Sequence, residues 1–407
     1  SRSLARRQCC RWSSNWSSKH QNMEGGRLIS DLFDEAKKVS KPLRKRIRNQ
    51  MVPTLLNADV TTYSALYQLI HNADAPKELR LTACNAVNIL NDLVDHHQAT
   101  EALLTALTQE GVDTKLRYDA ISSLTRIKSR RAIPMIVDIL ADKSEDPSLR
   151  IWIVNQLYAW DEIPELREIV LNIIYDETEN PGVRGELIEK QHHLFVTDDD
   201  IGHLVYLLNN PEPVVRFWAA YAINGGRIGL TAIPYLDRIA ATDTTVPDYS
   251  CRWHVGREAL MVLDGLTCGI NETGGLPYLL SPTLEFLRFE KAEQAVAVPS
   301  LSIDAQWLRE ELAKRWPRIV FDVRPGLTTY VLDWRVDIEG EVLFGGLHCD
   351  RYAITITGLS DAVASFAFHI STLFPDEDWW LYQWLWAECD LGQFATSDLL
   401  HAELLSH

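Results

Sequence analysis

The chain has 407 residues, 46% of them hydrophobic, and a formal net charge of −16. That length can bury a large core and exceeds one compact domain, while the charge argues against nucleic-acid binding, since no basic stripe is segregated beyond the N-terminus. No apolar run approaches the ~20 residues of a membrane helix, and Cys9, Cys10, Cys84, Cys251, Cys268, Cys349 and Cys389 form no Cys-x-x-Cys pair or disulfide framework, which fits reduced thiols in a cytoplasmic protein.

Residues 1–22 carry Arg2, Arg6, Arg7, Arg11 and Lys19, several serines and no acid; without these five cations the rest of the chain stands at −21. This segment reads as an organelle leader or as a translated upstream or artificially appended stretch, disordered in each case, the latter being preferred because Met23 precedes an ordinary helical pattern. Residues 23–57 read as an amphipathic N-terminal helical cap.

From residue 58 to 266 the sequence repeats itself. Segments ending in Arg80, Arg117, Arg150, Arg184, Arg216 and Arg252 recur at spacings of 37, 33, 34, 32 and 36. Four residues before each arginine stands Pro76, Asp113, Asp146, Asn180, Glu212 or Asp248, which predicts a helix start six times over. Apolar residues three, four and seven positions later, such as Ala120, Ile121 and Leu124, paint one stripe of each helix. A partner helix precedes each, its clearest copies being Ala132-Ile133-Pro134-Met135-Ile136 and Ala232-Ile233-Pro234-Tyr235-Leu236, with proline in the first turn. Pro211 to Gly226, followed by Ala232 to Leu236, resembles the short HEAT repeat of the phycobilisome-lyase type. The resemblance implies an α-solenoid of about six helix pairs and says little of function.

Residues 267–305, rich in Gly and Pro, read as a connector with one short helix at most. Residues 306–407 read as a small acidic α+β domain with 16 acids and 7 bases. A helix to Trp316 is followed by a strand with Tyr330, Leu332, Trp334, Val336 and Ile338 on one face and Asp333, Arg335 and Asp337 on the other. Glu339-Gly340 predicts a hairpin turn, Val342–Leu347 and Tyr352–Thr357 two more strands, and Ser360-Asp361 the start of a helix that Pro375 prevents from continuing. Trp379–Tyr382 reads as a final strand. Such acidic modules resemble bacterial toxin-immunity proteins.

Little catalytic chemistry is legible. The His-Glu dipeptides of the HEAT-type deoxyhypusine hydroxylase are absent, as are a Gly-x-Ser-x-Gly elbow, a phosphate-binding glycine loop and zinc-ligand spacing. His96-His97 and His192-His193 point about 100° apart on a helix and suit solvent or capping better than a shared ion. Asp198-Asp199-Asp200 precedes an apolar helix and reads as a cap. The arginine ladder reads as structural, bonding acids or carbonyls of neighbouring repeats.

Positions one, five and eight after each arginine are expected to line the inner surface of the solenoid. They include Tyr118, Asn155, Tyr158, Phe217, Tyr221, Asn224 and Trp253, an aromatic and amide-rich set typical of binding surfaces. The plainer alternative is that the C-terminal module or a partner subunit covers this column. The first functional expectation is a non-catalytic protein-binding scaffold using this concave face. The second is an immunity-type inhibitor whose acidic C-terminal module binds a basic toxin; separately, the acidic loop Asp376, Glu377 and Asp378 beside Trp379-Trp380 is of a kind that can seat a basic partner. The third is a phycobilin-lyase-like enzyme. The expected partner is another protein, with no nucleic acid, membrane, metal or cofactor.

Overall fold

The computed structural model describes residues 60–75, 77–89, 94–109, 112–156, 164–190, 198–223, 227–247, 253–268, 276–281, 301–383 and 388–404. The segments 1–22 and 23–57, and the positions Arg252, Asp248, Tyr158, Asn224 and His192-His193, lie outside them. The fold is mainly helical with a C-terminal antiparallel sheet, and the chain divides into two compact units, Ser1–Ile173 and Ile174–His407. Among the described residues, no helix is long and apolar enough to cross a membrane.

In the first unit run α1 (Val60–His71), α2 (Lys77–Ile89), α3 (His96–Thr108), α4 (Thr114–Arg126), α5 (Ile133–Ala141), α6 (Pro147–Val154) and most of α7 (Pro164–Tyr175). Helices α2, α4 and α6 pack in succession, with α1 against α2 and α3 against α4. Their starts obey local chemistry: Asp113 accepts from the Lys115 N–H and Asp146 from the Ser148 N–H, each as the N-cap of its helix. Pro134 sits in the first turn of α5, where its missing N–H costs no bond.

The second unit continues with α8 (Pro181–Lys190), α9 (Asp198–Leu207), α10 (Pro213–Ala222), α11 (Ile233–Thr242) and α12 (Val255–Thr267). Helix α10 packs against α8, α9 and α12, and α11 against α12. The arginines of successive pairs do similar work. Arg80 donates to the carbonyl of Ile70, Arg150 to Leu140 and Arg184 to Ile174, each ten residues back in the last turn of the preceding helix. Orphan carbonyls at a helix end are thereby satisfied by a buried cation. Arg117 instead grips Glu145 with two bonds of 2.8 and 2.6 Å, and Arg216 holds Asp243 at 2.8 Å and the Asn210 carbonyl at 2.7 Å. The sixth start departs from the expected register: α12 begins at Val255 with His254 as its cap residue, after Arg252. The Val255 and Gly256 N–H groups donate to the carbonyls of Thr245 and Asp243, which tie this start to the end of α11.

The sheet has seven strands among the described residues, in the order β2-β3-β4-β5-β1-β6-β7, with every neighbouring pair antiparallel. These are β1 (Leu276–Ser281), β2 (Val320–Phe321), β3 (Tyr330–Ile338), β4 (Glu341–His348), β5 (Ile354–Gly358), β6 (Trp380–Gln383) and β7 (Glu388–Asp390); α13 (Ala305–Arg315), α14 (Ser360–Leu373) and α15 (Ser397–Leu404) complete the element order. Two findings differ from the sequence expectation. The stretch read as a connector supplies β1, which enters the sheet between β5 and β6; Leu279 and Leu280 are fully buried there despite Pro277. A register shift between Tyr330 and Leu332 also moves Tyr330 off the face shared by Leu332, Trp334, Val336 and Ile338.

That apolar face, with Tyr278, Leu280, Leu343, Ile354 and Ile356, packs on α13, α14 and α15 through Leu308, Leu312, Phe366, Ile370 and Leu400. Trp334 stacks on Phe366 at 5.7 Å, and Gly345 across from it leaves room for the indole, since a Cβ there would lie 2.6 Å from the ring. Glu339 and Gly340 take φ of 56° and 92°, the left-handed values that a two-residue hairpin needs. The opposite face of the sheet carries Tyr330, His348, Thr355 and Thr357, and α12 covers it.

Candidate functional site

The residues expected to line an inner surface divide between surface and core. On the second helices of the first unit the column is half-buried, with Thr125 fully packed. Tyr118 on α4 meets Trp152 on α6 edge to face, with ring centroids 5.6 Å apart and planes at 71°. Trp152, two positions after Arg150, is 39% exposed and donates its indole N–H to the Ser122 hydroxyl at 3.2 Å. Asn85 on α2 donates to Asp119 at 3.1 Å and to the Leu81 carbonyl, and half-buried Asn155 donates to the Ile151 carbonyl. Burial, aided by the nearby Asp146 carboxylate, raises the Tyr118 phenol above its ordinary pKa. Trp152 was not among the predicted residues because the register counted from the arginine placed it between two columns.

In the second unit Phe217 and Trp253 turn inward, a correction to the sequence reading, while Tyr221 stays as partly exposed as Tyr118. Phe217 is 2% exposed and lies edge-on to Trp218 at 4.9 Å, while Tyr221 is half-buried against Trp218 at 5.4 Å. Helix α10 has neighbours on several sides, so residues 217–220 are all buried, as an almost uncharged helix requires. Trp253 is fully buried, donates to Glu258 at 2.9 Å and faces Tyr382 of β6 at 6.4 Å. In the acidic loop, Asp376 and Asp378 are exposed and Glu377 is half-buried, next to the fully packed Trp379.

Three buried polar clusters, absent from the sequence reading, fasten the helices of the second unit to its sheet. Asp237 on α11 accepts from the backbone N–H and hydroxyl groups of Thr328 and Thr329 at 2.6–2.9 Å, and these bonds hold its carboxyl below the usual range despite burial. Asp264 on α12 accepts from Arg324 at 2.5 Å, Tyr330 at 2.8 Å, Thr355 at 3.0 Å and Thr357. Arg324 also bonds Asp333 at 3.1 Å and the Gly345 carbonyl at 2.9 Å, with its guanidinium 4.0 Å from the Tyr330 ring centroid. Burial opposes its charge, but the surrounding Tyr330, Cys268 and Asp264 hold its pKa well above the ordinary value; burial and Asp264 raise the Tyr330 phenol likewise. The lone acid in Met261-Val262-Leu263-Asp264 was the available signal, because a carboxylate inside an apolar helix needs a buried partner.

The third cluster joins Arg257, His348 and Asp350. Arg257 on α12 pairs with Asp350 at 2.5 Å, and His348 places Nδ1 2.9 Å from Asp350 and Nε2 2.9 Å from the Ala240 carbonyl. Burial raises and Arg257 lowers the Asp350 pKa; with the His348 bond, the balance falls well below the usual carboxylate range. Burial lowers the His348 pKa, but the bonded Asp350 carboxylate works against it and the net value is raised. Cys349, His348 and Asp350 have the residue types of a nucleophilic triad, yet the Cys349 sulfur lies 3.9 Å from Nδ1 and 3.7 Å from Nε2. Near-equal distances place it on neither nitrogen's bonding axis, and both nitrogens have other partners. The arrangement is a structural clasp rather than a nucleophile with its base.

Among the described residues, no group of three His, Cys, Asp or Glu side chains converges as a metal site would require. His97 and its neighbour His96 open α3, where Asp95 accepts the His97 N–H, and Asp198 opens α9. No protein-family model matches the chain, and no curated protein matches it.

Proposed function

We propose that the chain is a non-catalytic protein-binding scaffold, built from HEAT-like helix pairs and binding through the second helices of its first unit. The observation that carries this reading is the Tyr118–Trp152 pair. An aromatic that is 39% exposed, yet held by a ring neighbour and by an indole hydrogen bond, is presented to solvent in one orientation. Rigid aromatics lose little entropy on binding and dominate interface energetics. Asn85, Ser122 and Asn155 supply amide and hydroxyl groups along the same helices. The arginine-to-carbonyl bond repeated at Arg80, Arg150 and Arg184 supports the repeat assignment, because one cation solves the same helix-end problem in three pairs.

The test is affinity capture from the native host by wild-type chain and by a Tyr118→Ala/Trp152→Ala variant, followed by direct binding of the purified, identified partner. Loss of at least ~30-fold in affinity, about 2 kcal/mol, with an unchanged melting temperature is expected. Equal binding by the variant rejects this surface. A second reading, an immunity-type inhibitor, draws on the exposed Asp376 and Asp378, and predicts instead a partner whose binding is lost in Asp376→Asn/Asp378→Asn.

A further inference from the structure

We infer that His348 is a proton-operated latch: protonated, it pins the turn of residues 349–353, between β4 and β5, to α11 and α12; neutral, it lets that turn go while the other two clusters hold. This goes beyond the scaffold reading and does not depend on it. The ring is buried, and its Nε2 must carry a hydrogen, because its partner there is the Ala240 carbonyl of α11 at 2.9 Å, which only accepts. Nδ1 is the contested atom. A carboxylate oxygen of Asp350 lies 2.9 Å from it and calls for a proton, whereas the Asp350 N–H at 3.2 Å and Arg257 Nη1 of α12 at 3.3 Å call for a lone pair.

With the proton in place, Nδ1–H donates to Asp350, and that one carboxylate joins the imidazolium, Arg257 at 2.5 Å and the N–H groups of Tyr352 and Ala353 at 3.1 Å. Without it, a lone pair faces a carboxylate oxygen at 2.9 Å, and Nδ1 accepts only from Arg257 and the Asp350 N–H. The Asp350 side chain is 22% exposed and then has water to turn to; its departure frees the two N–H groups that order the turn. Among the described residues, the charged or titratable groups around the ring are Arg257 from α12 and Cys349 and Asp350 from its own turn, while α11 presents the Ala240 carbonyl. Burial and Arg257 disfavour the imidazolium, the bonded Asp350 favours it, and the net pKa is raised, so the change of state falls above about 6.5. Of the side chains in the three clusters, only the imidazole has an ordinary pKa near neutrality, which makes this fastening the one that a proton operates.

The experiment is residue-resolved hydrogen exchange of the full chain from pH 6 to 9, corrected for the pH dependence of chemical exchange, beside a histidine-labelled NMR titration that gives the His348 midpoint. Protection of the Tyr352 and Ala353 amides is expected to fall several-fold as pH rises through that midpoint. The Thr328 and Thr329 amides, bonded to Asp237, should keep theirs. In His348→Gln, whose side chain does not titrate, protection of the turn should stay constant with pH, and Asp350→Asn should lower the His348 midpoint. Turn protection that is unchanged through the midpoint in wild type overturns the inference, as does a fall that persists in His348→Gln or a midpoint unmoved in Asp350→Asn. A parallel loss at Thr328 and Thr329 overturns it too, because the opening would then be global. Should His348→Gln fail to fold, the wild-type comparison of turn and threonine amides decides alone.

Discussion

Asp264 and Arg324 illustrate what a single residue does in this protein. Both are buried and satisfied by one another, by Asp333 and by sheet hydroxyls. A buried pair of this kind adds little net stability compared with an apolar replacement, but losing one member strands a charge. Arg324→Met should therefore destabilise the chain by about 3–5 kcal/mol in denaturant unfolding, and adding Asp264→Leu should recover part of that loss. His348 makes a pH-dependent contribution. Its folded pKa lies above the unfolded value of about 6.5, so its stabilisation is complete below that pH and fades as pH rises through the folded value. Melting temperature followed from pH 6 to 8 should fall more in wild type than in His348→Gln; parallel curves would remove His348 from the pH dependence.

At the scale of elements, β1 and α12 are what make the C-terminal sheet part of a larger unit. Central strands are buried on both faces and read as short apolar runs, and Leu276-Pro277-Tyr278-Leu279-Leu280 is such a run, obscured by its proline and by the glycines before it. The hairpin β3–β4 was legible, because alternation and a Glu-Gly turn are local signals. Gly345 was not, since its reason is Trp334 across the pair. Gly345→Ala should cost about 1–3 kcal/mol through overpacking, measured as a lowered unfolding midpoint at unchanged slope. Phe217→Ala should cost about 3–5 kcal/mol, because the ring is core rather than surface.

On the scale of the molecule, the boundary between units falls near Ile173, within α7 rather than at the Gly/Pro-rich stretch. A chain spanning residues 164–407 should unfold cooperatively. One spanning 301–407 should not, because it lacks β1 and the α12 side chains that bond Arg324, Tyr330 and Thr357. Circular dichroism with thermal melts of both fragments checks this, and a cooperative 301–407 fragment would show that the sheet needs neither element.

By itself the sequence determined the helical period, the capped starts at Asp113 and Asp146, the work of the arginines at helix ends and most strands of the C-terminal module. Each follows from backbone chemistry within a few residues. Tertiary structure decided the rest: that β1 joins the sheet, that Tyr330 changes face, that Phe217 and Trp253 turn inward, and that Trp152 stays exposed. Asp264 meets Arg324 across 60 positions and His348 meets Ala240 across 108. A helix stripe or strand face shows that a surface must be covered, but what covers it depends on segments this far apart, because burial is a property of two surfaces meeting and each is written separately in the chain.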